Sequence, residues 1–135
     1  RCHKEIREKL TSWKIYGDER EQIIASLIQE NFVNEERFAK AYAGGKFRVK
    51  KWGRNKIRKA LHQRDISAYC ITKGMEEISE QDYTDTLLAL LQKKNKTLKE
   101  KNPFTRKGKL AKFVIGKGYE SQLVWDHLRS ETYLE

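Results

Sequence analysis

The clearest chemistry in this sequence lies in residues 46–64, which carry nine Lys or Arg residues and no acidic residue. We call this stretch the basic block. Positive side chains at this density attract polyanions, which include nucleic acid and acidic protein surfaces. Charge runs are often only a solvated helix face, but so many like charges in one short segment repel one another at a cost in stability. We therefore interpret the basic block as a binding surface rather than as a solvated face.

The spacing of the apolar residues within the basic block indicates how its cations are presented. Three apolar residues recur at intervals of three and four, which places them on one face of an α-helix. These residues are Ile57, Ala60 and Leu61. The cations that we expect on the opposite, solvent-facing side are Arg54, Arg58 and Lys59. Such a helix can dock on a core with one side and bind an anionic partner with the other.

A second basic stretch covers residues 93–117 and holds ten Lys or Arg residues against a single acid, Glu100. It is either a further binding surface or a Lys-rich hinge that serves solubility. Trp52 also has two interpretations, because its ring either stacks on a base or a partner side chain, or packs under the start of the helix. We predict contacts with the partner or with nucleic acid from Arg48, Lys50, Lys51, Trp52, Arg54, Lys56, Arg58, Lys59, Arg64, Arg106, Lys107, Lys109 and Lys112.

The motifs that would indicate catalysis or cofactor binding are absent from the sequence. Gly44-Gly45-Lys46 is only a fragment of a phosphate-binding loop, which needs a longer Gly-rich pattern. Cys2 and Cys70 do not form a Cys-x-x-Cys pair, and the three histidines are scattered. The acids between residues 76 and 85 flank a helix start, where negative charge suits the helix dipole. We predict no catalytic, cofactor or metal site, and we predict that the protein is not an enzyme.

Length and composition suit one domain or a short array of repeats. The chain has 135 residues, a formal charge of +10 and an apolar fraction of only 38%, which favours a thin, elongated shape over a compact one. The longest uninterrupted apolar run covers residues 87–91, far short of the roughly 20 residues that span a bilayer. Isolated cysteines suggest a reducing compartment. We expect a monomer that works in the cytoplasm and does not bind membranes.

Turn and capping residues divide the chain into amphipathic helices, and no stretch alternates with the period of a strand, so we predict an all-α fold. We expect a helix over residues 4–14, a turn at residues 31–34 in which Asn34 caps the next helix, and a helix opened by Gly53. The tail at residues 92–101 is either a solvated helix extension or a loosely ordered hinge. Further helix starts are expected at Ser67, Ser79 and Pro103, and stops at Gly116 and Gly118.

An internal repeat relates these helices. Residues 34–38 resemble residues 79–83 at an offset of 45, and residues 56–61 resemble residues 109–114 at an offset of 53. The difference reflects a Lys-rich insertion near residues 93–101. Units of three helices bury their apolar faces against their neighbours, which predicts an elongated, curved array of tandem three-helix repeats. We divide the chain into a partial first repeat of two helices (residues 1–33), a second repeat (34–78) and a third repeat with the insertion (79–135).

The order of these segments resembles the RecX family, which consists of bacterial modulators of the RecA recombinase built from tandem three-helix repeats. The resemblance is carried by Glu-Arg-Phe-Ala within residues 32–39, by Gly-Arg-x-x-Ile-Arg within residues 51–61, and by residues 105–113 with Gly118-Tyr119. One departure is Asp65, which stands where the family usually has Gly. Asp tolerates turn geometry, so this difference leaves the resemblance intact.

The resemblance implies a regulator that binds along the groove of a RecA–DNA filament and inhibits its recombinase, ATPase and coprotease activities. Its partners would then be the RecA filament and single- or double-stranded DNA. The alternative, which rests on charge alone, is a general nucleic-acid-binding helical module without a recombinase partner. The DNA affinity of such a module would fall steeply with salt, and the module would not prefer the filament over bare DNA.

Overall fold

The computed structural model describes residues 17–134 and, ahead of them, residues 6, 8 and 9. Residues 17–134 contain six α-helices and no β-strand, in agreement with the predicted all-α fold. The helices are α1 (Gly17–Gly45), α2 (Arg54–Gln63), α3 (Ala68–Met75), α4 (Glu80–Thr97), α5 (Pro103–Gly116) and α6 (Ser121–Ser130), with a π-helical turn at Lys46–Lys50 and a 3₁₀ turn at Thr132–Leu134. The helix predicted over residues 4–14 lies largely outside the described residues.

Side-chain caps start three of these helices where the sequence predicted them. The Ser67 hydroxyl accepts the N–H of Cys70 at 3.2 Å and opens α3. The Ser79 hydroxyl does the same for α4, and the Asn102 amide oxygen accepts the Thr105 N–H ahead of α5. Each cap satisfies a backbone donor that the first turn of a helix leaves free.

The prediction of a turn at residues 31–34 is wrong, because these residues lie inside the 29-residue helix α1. No Gly or Pro interrupts the sequence between Gly17 and Gly44, and an Asn inside a helix costs only a fraction of a kcal/mol. Contacts with α3 outweigh that cost. The Phe32 and Tyr69 rings lie 5.5 Å apart, and the Glu35 carboxylate accepts the Ser67 N–H at 2.7 Å.

Helix α1 also continues through Gly44 and Gly45 and passes into the π-helical turn. Lys51 ends that turn with a backbone φ of 60°. Further along, Gly74 of α3 lies against α1, because a Cβ at Gly74 would be 2.7 Å from the backbone oxygen of Ala39. The glycine that weakens α3 as a helix therefore lets the two helices approach closely.

One apolar core joins residues from Ala39 to Tyr133. Its fully buried side chains alternate between helices and include Ile57, Leu61, Tyr83, Leu87, Leu91, Leu110, Val114, Tyr119, Val124 and Leu128.

Candidate polyanion-binding site

The C-terminal end of α1, the π-helical turn and α2 bring together a group of cations and aromatic rings. The Lys46 ammonium lies 5.4 Å from the centroid of the Tyr42 ring and 4.9 Å from that of Trp52. The Lys56 ammonium lies 4.7 Å from Trp52, and the Arg64 guanidinium lies 4.9 Å from Tyr42. We call these five residues the cation–aromatic cluster. The negative faces of the rings hold the cations in place without neutralising their charge.

No carboxylate competes for these cations in the part of the chain that the structure describes. None of Lys46, Lys56 and Arg64 forms an ion pair there, whereas Lys40 pairs with Glu36 and Lys109 pairs with Glu100. Charges without a partner keep their attraction for an external anion. The cation–aromatic cluster is therefore the best-formed candidate for a polyanion site.

Trp52 takes the second of the two arrangements considered from the sequence. Its indole ring is partly buried, packs against the core at the start of α2, and faces two ammonium groups. A ring held in this way positions cations. A direct contact between Trp52 and a partner stays a prediction.

Five other cations of the basic block are exposed. Their side chains form no ion pair within the described residues, although the Lys51 ammonium donates to the backbone oxygen of Arg48 at 2.7 Å. Val49 lies among them and is 77% exposed. These cations are Arg48, Lys50, Lys51, Arg58 and Lys59.

Arg54 does not belong to this exposed group, and its expected solvent-facing position is wrong. Its side chain is only 15% exposed, and its guanidinium forms ion pairs with Glu80 at 2.6 Å and Glu120 at 2.9 Å. It also lies 3.8 Å from the centroid of the Tyr83 ring. Arg54 precedes Ile57 by three residues, and residues at that spacing share a helix face. The same spacing that identified the apolar face should have placed Arg54 on it.

The electrostatics around Arg54 favour its charged form. Burial disfavours the guanidinium charge, but the hydrogen bonds to Glu120 and Glu80 outweigh this and raise the pKa of Arg54. Burial likewise opposes ionisation of Glu120, yet the Tyr83 hydroxyl and Arg54 lower the pKa of that carboxyl. Burial and the hydrogen bond to Glu120 raise the pKa of Tyr83 well above its usual value. The positive charge of Arg54 is thus compensated within the protein by two carboxylates.

The second basic stretch also contains two kinds of cation: some are held by contacts within the protein, and others form no ion pair among the described residues. The Arg106 guanidinium donates to backbone oxygens of Asn95, Leu98 and Glu100 and therefore fixes the segment between α4 and α5. Lys109 pairs with Glu100 at 3.2 Å. Lys107 and Lys112 form no ion pair within the described residues. Residues 92–101 are therefore partly helix and partly a pinned connection.

A smaller cation–aromatic arrangement lies on α5. The Phe113 ring has the ammonium of Lys94 at 4.9 Å and that of Lys117 at 5.6 Å. It joins the end of α4 to α5, as the cation–aromatic cluster joins the end of α1 to α2. Neither Lys94 nor Lys117 was predicted from the sequence as a contact.

Sequence reasoning also missed Tyr42 and Lys46 in the cluster, and Tyr83 and Glu120 around Arg54. Lys46 belonged to the basic block, and an aromatic residue four positions before a Lys on a helix was a usable signal for the first pair. Contacts between residues as distant as 54 and 120 have no local signal. Among the described residues there is no group of His, Cys, Asp or Glu that could hold a metal ion, and no helix there has the length and hydropathy of a bilayer span.

The fold and the site define a class of all-α proteins built from consecutive three-helix domains with cations gathered between the helices. Comparison with known families agrees with this class. The profile described as "RecX, second three-helix domain" matches residues 34–75, and "RecX, third three-helix domain" matches residues 80–128. The chain belongs to the RecX family.

Individual relatives carry the same description. The chain is 32% identical over 122 residues to "Regulatory protein RecX" of Clostridium perfringens strain 13, a match that covers 89% of this chain and 57% of the relative. It is 28% identical over 137 residues to the protein of that name from Clostridium botulinum strain Eklund 17B, covering 64% of it. The chain thus spans less than two thirds of the length of these relatives.

A solved structure supports the fold. The crystal structure of RecX from Lactobacillus salivarius superposes with a TM-score of 0.70 at 20% identity, covering 100% of this chain and 87% of that one. The described helices therefore have the arrangement found in a RecX crystal structure.

Proposed function

We propose that this chain binds the RecA–DNA filament and inhibits its recombinase, ATPase and coprotease activities. Membership of a family of regulatory proteins supports a regulatory role. The observation that carries the contact itself is the cation–aromatic cluster, in which three cations have no carboxylate partner among the residues that the structure describes. A nucleoprotein filament is a long anionic surface on which such cations gain attraction.

The cluster favours contact with phosphates over contact with bases. The Trp52 ring already faces Lys46 and Lys56, and the Tyr42 ring faces Lys46 and Arg64. Rings whose faces hold cations are poorly placed to stack on bases, while the ammonium groups remain compact charges suited to phosphate oxygens. Binding should then depend on salt and be insensitive to DNA sequence.

Inhibition by such a protein requires no chemistry of its own. A body of consecutive three-helix domains that bridges neighbouring RecA protomers would restrict the protomer movements that accompany ATP hydrolysis and strand exchange. We place this activity in the cytoplasm, where the filament would form.

The first experiment measures ATP hydrolysis by RecA on single-stranded DNA with the chain added below the concentration of RecA. We expect turnover to fall as the chain is added. The test variant replaces Lys46, Lys56 and Arg64 by Ala. A control variant with the same loss of charge replaces Lys40, Lys73 and Arg129, which form ion pairs with carboxylates three or four residues away in the sequence. The control should inhibit like the unchanged chain, and the test variant should not.

The alternative, a nucleic-acid-binding module without a recombinase partner, is supported by the net charge of +10. It is tested by comparing affinity for the filament with affinity for the same DNA without RecA, between about 50 and 200 mM salt. Equal affinities together with unchanged ATP turnover would establish the alternative and exclude the filament regulator.

A further inference from the structure

The start of α2 is closed by the third three-helix domain rather than by a cap of its own. Gly53 precedes the helix and offers no side-chain cap. The first free backbone donors of α2 instead find acceptors across the domain boundary: the Arg54 N–H donates to the Tyr83 hydroxyl at 2.9 Å, and the Asn55 N–H donates to the Gly118 oxygen at 2.9 Å. Helix ends without partners are unfavourable, so α2 depends on its neighbour for a complete first turn.

The two backbones touch at this point. Gly53 donates its N–H to the Lys117 oxygen at 2.8 Å, and a Cβ added to Gly53 would lie 2.3 Å from backbone atoms of Gly118 and Tyr119. A Cβ on Gly118 would lie 2.5 Å from the Cβ of Lys56, and Gly118 has a φ of +105°. Only two glycines permit this approach, so the distance between the domains is fixed by the backbone itself.

A layer of side chains locks the same contact. The Arg54 guanidinium from the second domain lies between Glu80 and Glu120 of the third domain. The Tyr83 hydroxyl donates to the Glu120 carboxylate, and the Tyr119 hydroxyl donates to the Lys51 backbone oxygen at 3.0 Å. Two carboxylates at different positions on one planar guanidinium restrict rotation as well as separation.

We infer that the contact of Gly53, Arg54, Tyr83, Gly118 and Glu120 is a rigid joint that sets the angle between the second and third domains. Arg54 is accordingly a positioning residue rather than a contact to the polyanion. The functional part of this inference rests on the proposed function: a fixed angle presents the cations of both domains to the filament together, and inhibition depends on it.

A charge-based test separates positioning from contact. The double variant Glu80→Gln with Glu120→Gln leaves Arg54 in place and raises the net charge by two. If Arg54 contacts the polyanion, release from its carboxylates should strengthen inhibition. If Arg54 holds the joint, the variant should loosen the domains and need a several-fold higher concentration for the same inhibition, despite its greater positive charge. Glu80→Gln alone, at a largely exposed carboxylate, gives the same sign with a smaller effect and guards against misfolding of the double variant.

The variant Arg54→Lys provides a second test of whether Arg54 positions the domains or contacts the polyanion. A lysine keeps the charge but presents a single point of contact, so it reaches one carboxylate where Arg54 reaches two. A role in contact predicts inhibition close to that of the unchanged chain, whereas a role in positioning predicts partial loss. Arg129→Lys, at an exposed position of α6 that is not among the predicted contacts, is the matched control and should change nothing.

The joint itself is measured by a distance between the domains. Spin labels at Thr72→Cys in α3 and Gln122→Cys in α6, both exposed positions, report the distribution in a chain that also carries Cys2→Ser and whose Cys70 thiol is buried. We expect one narrow distance in the unchanged joint and a broad distribution in the double Gln variant and in Arg54→Lys. Equal, narrow distributions in all three would overturn the joint. If the unchanged chain gives a narrow distance but fails to inhibit RecA, the proposed function is overturned and the joint still stands. Loosened domains with unimpaired inhibition would overturn the dependence of inhibition on the angle.

Discussion

Arg54 and the cation–aromatic cluster both belong to one run of positive residues, yet the structure uses their charges in opposite ways. Arg54 lies between two carboxylates and is largely buried, so its charge is compensated by ion pairs inside the protein. Lys46, Lys56 and Arg64 lie against uncharged aromatic rings, so their charges can still attract an anionic partner. The helix face on which a cation lies and the chemistry of its neighbours therefore decide whether its charge is compensated within the protein or can attract a partner.

The two regions should also respond differently to mutation. Removing one member of a buried ion pair strands the other charge, at about 3–5 kcal/mol when burial is complete. Removing a surface cation from a ring costs only about 0.5–1 kcal/mol. Mutations in the joint should therefore mainly lower the stability of the fold, and mutations in the cation–aromatic cluster should mainly weaken binding.

The largest effect is expected from Gly53→Ala in the joint. The new methyl group would overlap backbone atoms that cannot move as a side chain can, so we expect a loss of about 3 kcal/mol or more in the free energy of unfolding. Urea denaturation measures it. Gly108→Ala in α5 is the matched control, because nothing lies within 4 Å of its added Cβ. The control should gain up to about 1 kcal/mol. A tolerated Gly53→Ala would show that the domains do not touch there.

The next effect contrasts two arginines of α2. Arg54→Ala should lower the free energy of unfolding by about 2 kcal/mol, less than for a fully buried pair because Glu80 remains solvated. Arg58→Ala, on the exposed side, should change it by about 0.5 kcal/mol or less. Thermal or urea denaturation of both variants measures the difference. Equal stabilities would erase the distinction between the two kinds of cation.

A smaller effect follows from the carboxylate of the joint and depends on pH. Glu120→Gln should lower the free energy of unfolding at pH 7 by about 1.5 kcal/mol, because its charged hydrogen bonds are lost. The folded pKa of Glu120 lies below the usual value of 4.5, so its stabilisation is complete at higher pH and disappears as the pH falls through the folded pKa. The gap between variant and unchanged chain should therefore shrink as the pH falls below 4.5 and through the folded pKa. A gap that is constant with pH would show that Glu120 is not ionised in the joint.

Features that depend only on residues close together in the sequence could be predicted. The helix starts at Ser67, Ser79 and Pro103 and the start of α2 after Gly53 were predictable, because they depend on residues within one helical turn. The RecX family was predictable for a related reason, since its motifs are short and occur in a fixed order.

What failed depends on contacts between distant residues. The continuity of α1 through residues 31–34 needs α3 beside it, which local propensity does not report. The burial of Arg54 needs Glu80 and Glu120, which lie 26 and 66 residues away. Aromatic rings that hold cations were also missed, because charge alone was counted and the rings were assigned to the core or to the partner.

The smallest effect on stability, and the sharpest one on binding, is expected at Lys56. Lys56→Ala removes one ammonium from the Trp52 ring and should cost about 0.5–1 kcal/mol of folding stability. If Lys56 contacts a phosphate, the dependence of log affinity on log salt should become shallower by about one unit, without any change in preference among DNA sequences. Arg54→Lys, by contrast, should leave that slope unchanged, because it keeps the charge and its position does not face the polyanion. Filament binding measured over a salt series for both variants distinguishes them. Equal slopes for Lys56→Ala and the unchanged chain would mean that the cation–aromatic cluster stabilises α2 and binds nothing.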